Sequence, residues 1–165
     1  MKIEVSEFNP AFDMISKDWM LISAGDSNNY NVMTASWGGF GHIWGKNICW
    51  CVIRPQRYTK KFVDNNDYFN LIFFPSDKYK KELSICGSKS GKDIDKAKEC
   101  NFTPIDGFEG TTTFKEAKYT ITCKKLYHEQ LTAKGFSDKL DLETWYPEND
   151  LHIMYFGEIV NIEVN

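Results

Sequence analysis

Apolar residues along this chain fall into short runs closed by residues that turn. W-M-L-I-S-A, from Trp19 to Ala24, predicts a strand, and the G-D-S-N-N-Y after it predicts a hairpin leading into a second arm at Asn31. K-N-I-C-W-C-V-I predicts a strand ending before Arg54, and Y-F-N-L-I-F-F another that stops at Pro75. From Phe114 to Leu126 the period is two, with Tyr119, Ile121 and Cys123 on one face and Thr120, Thr122 and Lys124 on the other, as in a half-buried strand. L-H-I-M-Y-F-G-E-I-V-N-I-E-V is apolar on both faces and predicts a central strand with a bulge at Gly157. Helical segments are few and short: Tyr58 to Val63, K-Y-K-K-E-L-S-I capped by Asp77, I-D-K-A-K-E-C capped by Asp93, and a turn from Leu140 to Trp145. Gly38, Gly39, Gly41 and Gly45 predict a loop. The pattern is that of a mainly β protein, a β-barrel with a few short α-helices. No repeat, linker or low-complexity tract interrupts it, which predicts one domain over residues 1–165.

Composition narrows the chemistry. Five cysteines without C-x-x-C spacing predict reduced, mostly buried thiols and no metal centre: Cys49 and Cys51 share a strand face, and Cys86, Cys100 and Cys123 stand alone. A net charge of -3 without a broad basic stretch argues against nucleic acid as the main partner. Acidic residues in M-K-I-E-V-S-E stand where a signal peptide would be apolar, and the longest apolar run, Ile48 to Ile53, is too short to span a bilayer; the expectation is a cytoplasmic protein off the membrane. Five Trp, eight Tyr and twelve Phe are enough for a core and also suit a flat ring ligand or a subunit interface.

Arginine usage is the sharpest local signal. All but two of the 20 basic residues are lysine, and the two arginines, Arg54 and Arg57, sit together in R-P-Q-R-Y-T at the end of a strand. A guanidinium offers a rigid fork of donors that fits a phosphate or carboxylate, Pro55 stiffens the segment, and Tyr58 and Thr59 add hydroxyls. This reads as a phosphate clamp; the competing reading pairs both arginines with surface carboxylates. In M-T-A-S-W the small Thr34, Ala35 and Ser36 let another group approach the backbone. G-S-K-S-G-K-D-I-D-K, Gly87 to Lys96, is too short for a P-loop and has Asp93 where Ser or Thr is required, but its N–H groups and ammonium suit either a phosphate or a solvated helix cap. The spacing of the Gly38–Gly45 cluster also excludes a dinucleotide fingerprint.

Taken in order, N-V-M-T-A-S-W-G-G, V-I-R-P-Q-R-Y-T, C-G-S-K-S-G-K-D-I-D-K and W-Y-P-E-N-D-L-H-I-M-Y-F-G-E-I resemble the flavin reductase-like family. The resemblance implies the FMN-binding split barrel, of Greek-key type, and a homodimer with FMN near the interface. It implies that Met33, Thr34, Ala35, Ser36 and Trp37 lie along the isoalloxazine ring. It further implies that Arg54, Arg57, Tyr58 and Thr59 hold the 5′-phosphate, with Ser88, Ser90, Gly91 and Lys92 as a second phosphate-side loop. Phe40, His42 and Trp44 are candidates for the nicotinamide or substrate side, with simple cover of the barrel mouth as the alternative, while His128 and His152 read as structural. The expected activity is transfer of hydride from NAD(P)H to FMN and on to free flavin or another small acceptor. No catalytic acid or base is needed, because the flavin N5 carries the chemistry. The alternatives are an FMN electron-transfer module reduced by a protein partner, and a site for another phosphorylated ligand such as pyridoxal phosphate or for haem-type anions.

Overall fold

The computed structural model describes residues 11–75, 78–137 and 141–165. Nine strands are present: β1 (Met20–Asp26), β2 (Asn29–Ala35), β3 (Gly38–Ile43), β4 (Lys46–Ile53), β5 (Tyr68–Phe73), β6 (Pro104–Asp106), β7 (Thr112–Phe114), β8 (Tyr119–Gln130) and β9 (Ile153–Val164). The helices are short: α1 (Ala11–Asp13), which runs into a π-helical turn at Met14–Asp18, then α2 (Tyr58–Asn65), α3 (Lys80–Ser88), α4 (Lys96–Glu99) and α5 (Leu142–Trp145).

Seven strands form one antiparallel sheet in the order β2-β1-β5-β8-β9-β4-β3, and β6 pairs with β7. Alternation explains how the sheet closes on itself. Met20, Ile22 and Ala24 of β1, Met33 of β2, Cys49 and Cys51 of β4, Phe69 and Leu71 of β5, Cys123 of β8 and Tyr155 of β9 all enter one buried cluster. Inward positions from six strands can share a core only if the sheet curls around it. The other face of β1, β2 and β5 (Leu21, Val32 and Ile72) packs against Leu83 and Cys86 of α3 and Ala97 of α4. Two cores thus fix where α3 and α4 lie relative to the outer edge of β2.

Several expectations shift. Gly38, Gly39 and Gly41 belong to a strand instead of a loop: a Cβ on Gly39 would lie 2.5 Å from the Trp50 indole, so glycine lets β3 press onto β4. The hairpin turns at Trp44 and Gly45, both at positive φ, the two-residue geometry that matches strand twist. Thr120 and Thr122 are buried, because β8 is covered on both faces over that stretch. β9 is central, as expected, and its ladder to β8 is irregular on both sides of Gly157. A Cβ on Gly157 would meet Cys123 and Phe69 at under 3 Å. Asp95, not Asp93, caps α4, accepting a bond from the Lys98 N–H. Asp77 and Leu140 lie outside the described residues. All five cysteines are free and buried, but they are not solitary: the Cys49 and Cys123 sulfurs meet across Gly157, and Cys86 and Cys100 are 3.7 Å apart.

Candidate functional site

A groove runs along the open edge of β2, between the end of β4, the start of α2 and the loop after α3. It has two connected parts. One, of about 280 Å³, is lined by Met33 to Trp37, Val52, Arg54, Gly87 and His152; the other, of about 180 Å³, by Asn31, Gln56, Tyr58, Thr59, Ser88 to Gly91 and Lys96. Arg57 borders both.

The smaller part is rich in donors. Arg57 immediately precedes α2 and caps it without a side-chain bond, so the first N–H groups of the helix face outward. The Arg57 guanidinium donates to the Gly87 carbonyl at 2.6 Å, and among the described residues no carboxylate stands within ion-pair distance of it. Burial alone pushes its pKa down, the signature of a cation lacking its counter-ion. Lys96 is 6% exposed and donates to the carbonyls of Val32 (2.7 Å) and Cys86 (2.8 Å), leaving its third N–H for the hollow. Burial first, opposed by Cys86 and reinforced by Arg57, brings the Lys96 pKa down to about 8. Two partly desolvated cations with no carboxylate partner among the described residues make this end a seat for an oxyanion.

The larger part is a strand edge. β2 ends the sheet, so its outward backbone groups have no partner strand. Val32 turns its carbonyl outward to Lys96. Alternate residues present their polar groups on the same side, so Thr34 offers its N–H and C=O to the same open edge. The Thr34 hydroxyl is occupied by the Leu83 carbonyl and anchors α3. Met33 is buried in the barrel core, Ala35 and Ser36 are small and half-buried, and the Trp37 ring closes the far end against His152, centroids 5.0 Å apart. His152 meets the Tyr146 hydroxyl at 3.0 Å through Nδ1; burial, then the Arg54 charge, pushes its pKa down to about 4, so the imidazole is neutral.

The two arginines part company. Arg54 lines the larger part, but its guanidinium is held by Asp150 and by the Trp145 carbonyl (2.9 Å) and lies 5.1 Å from the Tyr146 ring centre. Gln56 donates to the same Asp150 oxygen at 2.7 Å. Carboxylate pairing therefore describes Arg54, and the open guanidinium is that of Arg57. Tyr58, Thr59, Ser88, Ser90 and Gly91 are brought to the smaller part. Lys92 stands over the Tyr58 ring at 5.3 Å, and its backbone N–H donates to Ser90 Oγ at 3.2 Å. Phe40, His42 and Trp44 do not border the groove, because the β3 hairpin carries them away. Phe40 leans on Phe73 (6.4 Å), His42 bonds Asn47 (3.0 Å), and Trp44 is exposed against Tyr127 and Phe156.

Asn31, Gly87, Lys96 and His152 join the site without having been singled out for it. His152 reads as structural in the sequence, Gly87 and Lys96 are the ends of the Ser/Gly/Lys segment whose N–H groups and ammonium suit a phosphate, and Asn31 carries no binding signal of its own. Lys96 is one lysine among many in its segment, and only the packing of α4 against β2 and α3 buries it.

No family model matches the sequence, and no curated protein matches it in sequence. Solved structures match it closely in fold. The flavoredoxin of Methanosarcina acetivorans superposes with a TM-score of 0.70 at 19% identity, covering 100% of this chain and 76% of that one. An FMN-binding protein from Thermus thermophilus with bound p-hydroxybenzaldehyde gives 0.69 at 17% identity, covering 89% and 71%. The 2-nitrobenzoate 2-nitroreductase of Pseudomonas fluorescens gives 0.67 at 15% identity, covering 100% and 77%. The chain has the split-barrel fold of these FMN-binding and flavin reductase-like proteins.

Proposed function

We propose that the groove is the seat of FMN and that the protein is a flavin-dependent oxidoreductase, passing hydride from NAD(P)H to the flavin and on to free flavin or another small acceptor. The observation that carries this reading is Arg57: a half-buried guanidinium with no carboxylate partner among the described residues, facing a hollow that a second buried cation also lines. The donor set fits a phosphate. Arg57, Lys96, the α2 N–H groups and the hydroxyls of Tyr58, Thr59 and Ser90 would hold it, with Ser88, whose hydroxyl proton goes to the Ser84 carbonyl at 2.8 Å, Gly91 and Lys92 completing the loop. The edge of β2 from Met33 to Trp37 would carry the ring, its open N–H and C=O groups meeting the polar rim. Bound FMN supplies the two-electron redox chemistry at N5. The chain's own part is to bind, to orient and to exclude water on the Met33 and Val52 side.

One observation supports a second reading. Phe40, His42 and Trp44 lie away from the groove of their own chain, which supports an electron-transfer module reduced by a protein partner. The proposal extends to a homodimer, supported by the exposed apolar side chains Ile43, Trp44, Tyr127, Ile162 and Val164. Sedimentation tests that extension, and a monomer at micromolar concentration would refute it. Among the described residues no helix is long and apolar enough to cross a membrane.

The test of function is a visible spectrum of the FMN-loaded protein without oxygen, before and after NADH or NADPH. Bleaching of the flavin band is expected. A persistent band that bleaches only with a reduced redox protein establishes the second reading, and failure to take up FMN overturns both.

A further inference from the structure

Beside the proposed phosphate seat, and outside the residues the sequence singled out, stands Asn31. It is 6% exposed on β2 and bridges the two halves of the seat. Its Nδ2 donates to Thr59 Oγ1 at 2.8 Å. Its Oδ1 faces Gly91, where a Cβ would come within 1.9 Å of it, so only glycine leaves the amide room to stand there. We propose that Asn31 is a positioning residue: it fixes the direction of the Thr59 hydroxyl proton and so makes the seat selective for phosphorylated over unphosphorylated flavin. This rests on the reading of the groove as an FMN site.

The argument is one of proton placement. A threonine hydroxyl has a single proton and can both donate and accept, whereas an amide nitrogen only donates. With Nδ2 pointing at it, Thr59 Oγ1 must accept from Asn31, and its own proton is left for another acceptor. Thr59 is 1% exposed, so that proton has few places to go other than the adjoining hollow. Four groups then turn donors to the hollow: the Arg57 guanidinium, the Lys96 ammonium, the first N–H groups of α2 and the Thr59 O–H. Four converging donor groups suit a phosphate, which only accepts when fully ionised, and exceed what the single terminal hydroxyl of riboflavin can accept.

The experiment titrates FMN and riboflavin by flavin fluorescence against wild-type protein, Asn31→Asp, and the cycle of Asn31→Ala, Thr59→Val and their combination. Aspartate keeps the shape, but its carboxylate can only accept, so the Thr59 proton turns to it and away from the ligand. The expected result is FMN binding about 10- to 100-fold weaker in N31D, the range for losing a hydrogen bond to a charged group, with riboflavin binding unchanged. In the Thr59→Val background, Asn31→Ala should have no further effect on FMN, because Asn31 acts through the Thr59 proton. If N31D does not fold, that cycle decides by itself. N31D that binds FMN like wild type, or additive effects of N31A and T59V, overturns the role of Asn31 while leaving the FMN site standing. Wild-type protein that binds neither flavin overturns the reading of the groove, and this inference with it.

Discussion

At one end of the R-P-Q-R segment Arg54 is neutralised by Asp150 and packed over Tyr146; at the other, Arg57 is half-buried and, among the described residues, its guanidinium donates to a carbonyl alone. Two side chains of the same type, three positions apart in the chain, thus have opposite uses. Arg54 ties the end of β4 to the segment before β9, and that tie sets the Tyr146–His152 wall of the ring side. Arg57 leaves its charge available. What separates them is the supply of carboxylates: the chain before β9 brings Asp150 to Arg54, while the end of α3 offers Arg57 the Gly87 carbonyl and the start of α4 sets the Lys96 ammonium on the same hollow. A partly buried charge left unmatched in this way is costly to the apo protein and becomes favourable only when an anion arrives.

The largest effect should come from removing the unmatched charge. Arg57→Ala is expected to weaken FMN binding by about 30- to several thousand-fold, the 2 to 5 kcal/mol of a desolvated charge pair, with riboflavin affinity nearly unchanged. Equal FMN affinity in a fluorescence titration would sink the contrast between the two arginines. Arg54→Ala should do the reverse, lowering the melting temperature because Asp150 loses its counter-ion, with a smaller change in the phosphate's contribution measured as the FMN-to-riboflavin affinity ratio.

pH separates the two ends next. His152 stays neutral in the fold down to about 4, while in the unfolded chain it takes up a proton near 6.5. The unfolded state therefore binds more protons between those values, and stability should fall as pH drops from 6.5 to 4, by on the order of 2 to 3 kcal/mol. Denaturation across that window, compared with His152→Gln, checks it; an unchanged slope in the variant refutes the assignment. Lys96 works at the other end of the scale. In the ligand-free protein it loses its proton as pH rises through about 8, so FMN binding should weaken above that pH by up to about tenfold per unit, and riboflavin binding should not. Stability of the apo protein should rise over the same interval, because only the unfolded chain still holds that proton. The smallest effect belongs to Lys92→Met, which removes a cation over the Tyr58 ring and should cost about 0.5 to 1 kcal/mol of folding stability in a denaturant titration.

Much of the fold was legible because its signals are local. Alternation marks the inward face of β8, Pro75 stops the segment of β5, and the apolar run of β9 announces a central strand. The glycines before β4 misled because two physical uses of glycine look alike in sequence. A flexible loop and a strand pressed against Trp50 both call for a missing side chain, and only the neighbour across the ladder tells them apart. The burial of Thr120 and Thr122 was hidden for a related reason. A hydroxyl reads as an outward position, yet Thr120 meets Thr113 from β7, a partner supplied from another part of the chain.

The site divides along the same line. The sequence by itself determined that arginine is concentrated after β4, that small residues follow Met33, and that a Ser/Gly/Lys loop lies downstream, since each depends on residue type and spacing alone. Which arginine keeps a free charge, that Lys96 faces the hollow while Lys92 stands over the Tyr58 ring, and that Asn31 reaches Thr59 were settled by tertiary packing. The physical reason is that charge availability is a property of surroundings. A cation is matched or unmatched according to what the packing of α3, α4 and the chain before β9 brings within a few ångströms, and that distance is not written in any one segment.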